Sequence, residues 1–423
     1  MRIERFCDID RRTLLMRGAN TPQVSAAVAP IVSDVAARGD AALLDYTERF
    51  DGVRPEPLEV PKAEWEAALS RIDPALREAM ETAAENIRAY HARQVRQGFK
   101  MGGDGVYMGQ IITPIERVGL YIPGGTAAYP STVFMNAIPA KLAGCSEIVM
   151  VSPPTKDGSI PDAILAAALL AGVTRVFRCG GAQAVAALAY GTGSVPKVDK
   201  IVGPGNAYVA EAKRQVFGRV AIDMIAGPSE ILVLADETAK PEWVAADLLS
   251  QAEHDRMATA VLVTVSHDLA LAVSDEVERQ LCTLPREAIA RASIEANGRI
   301  IVADTLEEAL EAANELAPEH LELCTADPAA LLPKVKNAGS VFMGNCCPES
   351  LGDYLAGPNH TLPTSGTARF SSALGVDDFI KRIQYTHYTQ EALAAVAPKI
   401  AAFARAEGLE AHARAALIRE AAQ

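Results

Sequence analysis

The chain has no run of roughly 20 uninterrupted apolar residues. Behind the charged residues of MRIERFCDIDRRTLLMRG there is no apolar stretch of signal-peptide length either. The expectation is a protein that neither spans a membrane nor is exported. Positive charge is also scarce: 53 acidic side chains face 40 Lys and Arg, for a formal charge of −13. That excludes a nucleic acid as the natural partner, because phosphate binding needs clustered cations. Cysteines at metal-ligand spacing are missing. The seven present (Cys7, Cys145, Cys179, Cys282, Cys324, Cys346 and Cys347) are scattered through apolar contexts, as expected of reduced thiols in a cytoplasm. Cys346-Cys347, in the loop NCCPES, is the one pair placed to act as a nucleophile, set against the ordinary fate of free cysteines as small core residues. The GxGxxG dinucleotide fingerprint and the HExxH metallohydrolase helix are absent too.

What is there is a long, apolar-rich chain. Its 423 residues predict two or three units, and 49% hydrophobic against 22% charged residues leaves ample material for buried cores. The first hundred residues read as helices. Thr21-Pro22 offers an N-cap and a first-turn proline for a helix running to Gly39, and a second amphipathic stretch follows Asp73-Pro74 to about Gln94. From about Val118 the texture changes to short β-rich runs alternating with Ala-rich helices: RVGLYI, EIVMVS, RVFRC, DKIVG, EILVLA, TAVLVTVS, GRIIVAD, HLELC and SVFMG. Strand and helix in alternation mean an α/β fold with parallel sheets. Three strands run into glycine-rich turns, YIPGGTA, CGGAQA and VGPGNA, at the carboxyl ends where ligands usually bind. After about Gly375 come a short β-like stretch, IKRIQYTHYT, and two helical segments parted at Gly408, which read as a separate arm.

Of the seven histidines, His254, His320, His360 and His412 lie in segments rich in Gln, Glu, Asp and Asn. In SQAEHD, Gln251 and His254 stand three apart, so a helix ending there projects both from one face, as two ligands of one ion require; an ordinary surface helix has the same spacing. Asp353, in ESLGDYLAGPNH, offers a hard oxygen ligand seven residues before His360. Taken singly, each is equally a turn residue and a histidine satisfied by backbone. Glu319-His320 stands directly before the strand HLEL, at a strand mouth. A hydroxyl proton must leave before an alcohol surrenders hydride, and an imidazole is the side chain best matched to take it, which makes His320 the candidate general base. Glu319 is then the group to orient or activate water for a second oxidation.

At this point AIDMIAGPSEILVLAD followed by AADLLSQAEHD resembles the signature of the histidinol dehydrogenases. The resemblance continues through YIPGG, GGAQAVAALAYGT, VPKVDKIVGPGNAYVAEAKRQV, APEHLEL, GDYLAGPNHTLPTSGTARFSS and EGLEAHA, in family order from about Gly39 onward. It implies NAD-linked, zinc-dependent oxidation of L-histidinol through the aldehyde to L-histidine, with Glu319 and His320 as the proton-transfer pair. One zinc per subunit is implied at Gln251, His254, Asp353 and His412. Those four, with His320, Ser229, His360 and Glu407, are implied to contact substrate, Glu407 being suited to an ammonium group. For NAD the matching residues are Tyr121, Gln183 and Asn206.

The implied fold is α/β: two incomplete Rossmann-like parallel-sheet domains with a helical N-terminal lead-in and a C-terminal helical arm. The boundaries expected are 1–20 for an N-terminal segment, 21–119 plus 230–373 for the first domain, 120–229 for the NAD-contacting second, and 374–423 for the arm. In this family the arm crosses to the partner of a homodimer, so His412 and Glu407 are implied to act in trans. NCCPES and IQYTHYT depart from the family pattern without touching a matched ligand. Two competing readings remain: a related zinc and NAD dehydrogenase acting on a sulfonated diol, which a carboxylate such as Glu407 opposes, and a zinc hydrolase, which leaves the three glycine-rich turns idle.

Overall fold

A computed structural model describes residues 1–10, 22–124 and 128–419. Its fourteen strands are β1 (Arg2–Arg5), β2 (Phe99–Gly103), β3 (Val106–Pro114), β4 (Arg117–Tyr121), β5 (Glu147–Ser152), β6 (Arg175–Arg178), β7 (Lys200–Val202), β8 (Ala221–Ile222), β9 (Glu230–Ala235), β10 (Thr259–Thr264), β11 (Arg299–Val302), β12 (His320–Cys324), β13 (Ser340–Met343) and β14 (Ile380–Tyr388). They form a six-stranded sheet in the order β1-β11-β10-β9-β12-β13, a five-stranded sheet in the order β6-β5-β4-β7-β8, and a three-stranded sheet β14-β3-β2. The first two are parallel throughout. The third is antiparallel. All nine β-rich runs of the sequence are strands of the parallel sheets, which confirms the α/β fold class.

The parallel strands read as unbroken apolar runs because helices cover both faces. In β9 the alternation is visible. Ile231, Val233 and Ala235 face one core with Leu248 and Leu249 of the helix Pro241–Ala252. Leu232 and Leu234 face the other with Leu310 and Leu316 of the helix Leu306–Leu316. Side-chain caps start several helices: Asp73 accepts the Ala75 N–H ahead of Pro74, where the sequence places it, and Thr305 accepts the Glu308 N–H. The Thr21 cap lies outside the described residues. Among them no helix is long and apolar enough to cross a membrane.

The chain divides differently from the expected boundaries. One compact unit comprises Met1–Gln94 with Glu116–Phe379, and a second comprises Val95–Ile115 with Ile380–Gln423. Within the first, the helices Pro22–Arg38 and Asp40–Asp51 belong to the core of the five-stranded sheet, where Val28, Val32, Val35 and Leu43 join Ala184, Leu188 and Val209. They were expected with 230–373. Their apolar stripe finds its partner on elements far along the chain, which no local pattern announces. In the second unit β14 pairs along its full length with β3, so residues 95–115 accompany the C-terminal segment.

The central sheet supplies a stability test. Leu234 is fully buried and Phe370 is 82% exposed. Leu234→Ala is expected to lower unfolding free energy by about 2–5 kcal/mol, and Phe370→Ala by no more than about 0.5 kcal/mol. Urea denaturation reads both, and equal effects would refute the burial assignment.

Candidate active site

The site is built on the amino ends of β9 and β12. The helix Leu306–Leu316 ends at Ala317, whose left-handed φ of 47° turns the chain into Pro318, Glu319 and His320. His320 is 4% exposed and its Nδ1 lies 3.0 Å from the Glu230 carbonyl oxygen. Nδ1–H therefore donates to that carbonyl and the lone pair is left at Nε2, which has no hydrogen-bond partner among the described residues. The Glu230 N–H meanwhile donates to Glu319 Oε2 at 2.9 Å. Burial pushes the His320 pKa down to about 4 and raises that of Glu319 well above the usual carboxylate range. At neutral pH the imidazole is uncharged and able to accept a proton.

A short helix, Glu349–Tyr354, faces this histidine. Glu349 Oε1 lies 3.7 Å from His320 Nε2 and has no hydrogen-bond partner among the described residues. His320, Glu349 and Asp353 offer ligand atoms that all lie within 4.8 Å of one another. Burial raises the Glu349 pKa to about 9, helped by the charge of Asp353. Burial opposes ionisation of Asp353 too, but the hydrogen bond to His360 and the charges of His360 and His320 outweigh it and hold its carboxyl group below the usual range. His360 Nδ1 sits 3.1 Å from the Asp353 carbonyl oxygen and 3.4 Å from its carboxylate, while Nε2 is 3.4 Å from Thr132 Oγ1.

Gln251 closes the helix Pro241–Ala252. It is 1% exposed, and its Oε1 is another buried oxygen without a partner among the described residues. His254 lies in the turn just past the helix, its N–H donating to the Gln251 carbonyl. Ser229 precedes β9 beside Glu230, with its carbonyl accepting the Thr259 N–H. The structure thus brings His320, Glu349 and Asp353 together, with Glu319 and His360 against them, while Gln251 and His254 stand at the end of the helix Pro241–Ala252 and His254 is not among the three clustered groups. Neither Cys346 nor Cys347 is among the groups converging on His320. Glu407 and His412 stand in the second unit, where they line a groove with Val396, Ile400, Phe403 and Leu409 between its two helices.

Tyr121, Gln183 and Asn206 frame the carboxyl end of the five-stranded sheet. The Tyr121 hydroxyl accepts the Gly181 N–H at 3.0 Å. Asn206 caps the helix Ala207–Val216 through the N–H groups of Tyr208 and Val209. Gln183 is buried, and its Oε1 lacks a partner among the described residues. Beneath them a buried ion pair, Lys213 with Asp223, grips the Gly203 turn: Lys213 Nζ donates to the Gly203 carbonyl and Asp223 accepts its N–H. Gly203 has φ +112°, and a Cβ there would collide with the Tyr121 carbonyl oxygen.

Sequence reasoning missed Glu230, Glu349 and the Lys213–Asp223 pair. Glu349 left a signal, since it stands four residues before Asp353 and so on the same helix face. Glu230 left none, because its backbone does the work.

Similarity to known proteins agrees with this geometry. The family model described as histidinol dehydrogenase matches residues 15–420. A histidinol dehydrogenase of Geobacillus kaustophilus (strain HTA426) is 58% identical over 410 residues, covering 97% of this chain and 96% of its own length. One from Syntrophotalea carbinolica is 53% identical over 427 residues, covering 99% of both. The crystal structure of histidinol dehydrogenase from Elizabethkingia anophelis superposes with a TM-score of 0.94 at 40% identity, over 99% of this chain and 98% of that one. With a family model matching nearly its whole length, relatives more than half identical over almost all of both chains, and the same fold, the chain belongs to the histidinol dehydrogenase family.

Proposed function

We propose that this protein oxidises L-histidinol through L-histidinaldehyde to L-histidine with NAD as hydride acceptor, at a single zinc held by Gln251, His254 and Asp353 and completed by His412 of a partner subunit. The observation that carries it is the free Nε2 of a buried, neutral His320, its tautomer fixed by the Glu230 carbonyl. The donor set fits a metal: the Asp353 carboxylate clusters with His320 and Glu349, and Gln251 Oε1 is a buried oxygen without a partner among the described residues, which is unfavourable unless something binds it. When bound, zinc supplies Lewis-acid polarisation and a template for the amino alcohol, and the nicotinamide accepts hydride.

The protein's own residues do the rest. His320 Nε2 takes the hydroxyl proton as hydride leaves the carbinol carbon, giving the aldehyde. Water then adds to the aldehyde to give the gem-diol, with Glu319 beside the imidazole to orient it; His320, having passed its first proton to solvent, takes the diol hydroxyl proton that accompanies the second hydride, and the carboxylic acid formed ionises to solvent. Alcohol to carboxylate removes four electrons, so two NAD are reduced per substrate and one water is consumed. His360, tied to Asp353 and Thr132, is placed to meet substrate at the rim, and Glu407 matches an ammonium group. Tyr121 and Asn206 act by shaping the turns that receive NAD, while Gln183 keeps an oxygen for it. Membership of a dehydrogenase family sets the hydrolase reading aside.

Absorbance of reduced nicotinamide is expected to rise by two equivalents per L-histidinol and to stay flat with a strong chelator. One equivalent, or turnover of a sulfonated diol instead, would overturn the proposal. His320→Asn is expected to lower turnover by about 10²–10⁴-fold with zinc content unchanged, and His254→Asn to lower both; full zinc in the latter would refute the ligand assignment.

Acid stability gives an independent check on His320. Its pKa falls from 6.5 to about 4 on folding. The unfolded chain therefore binds the proton first, and stability is lost as pH drops from 6.5 toward 4. In chelated protein His320→Asn should remove up to about 3 kcal/mol of that loss, read from urea midpoints at pH 7 and pH 4.5. An unchanged acid slope would show that the imidazole is not buried neutral.

A further inference from the structure

One buried carboxyl group close to the cluster has no part in the chemistry above. Glu322 is the third residue of β12, two beyond His320, and is 1% exposed. Its Oε1 accepts the N–H of Glu349 at 2.7 Å, at the first residue of the helix that carries Asp353. Its carboxyl group also lies close enough to that of Asp247, one turn before Gln251 on the helix Pro241–Ala252, for the two to interact. Its backbone lies in the centre of the sheet, in register with Val233 on one side and Phe342 on the other. One side chain thus reaches each of the two helices that carry expected metal ligands, from the strand that carries the base.

An apolar residue would suit this position better if stability alone mattered. The flanking Leu321 and Leu323 are fully buried, and a carboxyl group in such surroundings is unfavourable unless it is hydrogen-bonded. The helix it anchors has six residues, too few to hold itself, and its first N–H has no partner within the helix. Its placement depends on what it is tied to. We infer that Glu322 is a positioning residue: it fixes the spacing of Gln251, Asp353 and His320 and thereby sets the affinity of the metal site. This rests on the zinc reading above.

The test is competition for zinc against a chromophoric chelator, with wild type, Glu322→Leu, Glu322→Gln and Asp247→Ala, alongside the thermal midpoint of each chelated protein. Glu322→Leu should bind zinc roughly 10- to 100-fold more weakly. Glu322→Gln keeps the acceptor for Glu349 and offers an N–H to Asp247, so its affinity should lie nearer wild type, whatever either change does to the midpoint. Wild-type affinity in folded Glu322→Leu, or equal losses in the Leu and Gln variants, overturns the inference. Should Glu322→Leu fail to fold, Asp247→Ala at its half-buried site decides: weaker zinc binding supports the inference and unchanged binding overturns it. Wild type that binds no zinc overturns the metal reading instead.

Discussion

One peptide group fixes how Glu319 and His320 are presented. The carbonyl of Glu230 receives the Nδ1–H of His320, and the N–H of the same residue holds Glu319. Because both anchors are backbone, neither depends on which side chain occupies position 230. The carbonyl selects the tautomer, burial removes the charge, and a basic nitrogen is left pointing at Glu349 and Asp353. The parallel register of β9 with β12 makes this possible, since His320 lies across from Ile231 and the ring reaches the carbonyl one residue back.

The two parallel sheets contribute opposite ends. In the five-stranded sheet the chain begins at β4, adds β5 and β6 on one side, then crosses to β7 and β8 on the other. Its switch point therefore lies between β4 and β7, where Tyr121 meets Gly203 at the carboxyl ends, the usual ligand position in open α/β sheets. The six-stranded sheet has the same logic about β9 and β12, yet Glu319 and His320 sit at their amino ends. The helix Pro130–Ala143 links the two: it is the next helix in the chain after β4, and its Thr132 touches His360.

Legibility in the sequence followed the range of the forces involved. Strands such as EILVLA were readable because burial on both faces leaves an uninterrupted apolar run. Asp353 and the Gln251-His254 pair were readable as unusual residue types in tight spacing. The pairing of β14 with β3 was not, because antiparallel partners that distant leave no local trace. Nor was the role of Tyr121 visible: its hydroxyl is spent on the Gly181 N–H, a contact between side chain and backbone that no motif encodes. Glu322 left no signal either: HLELC shows one carboxyl group in a strand, and nothing local says that it lies in the sheet interior with its oxygen on the Glu349 N–H.

Ala317 carries a last consequence. It holds a left-handed backbone just ahead of Glu319 and His320, where glycine is the residue with least objection, yet its methyl is wholly enclosed. Exchanging it for glycine would ease the dihedral while opening a methyl-sized void and loosening the unfolded chain, opposing effects that are each of order 1 kcal/mol. The bend that aims the imidazole is therefore imposed by what surrounds it, not by its own residue type, and its rigidity is borrowed from the helix core on which that methyl rests.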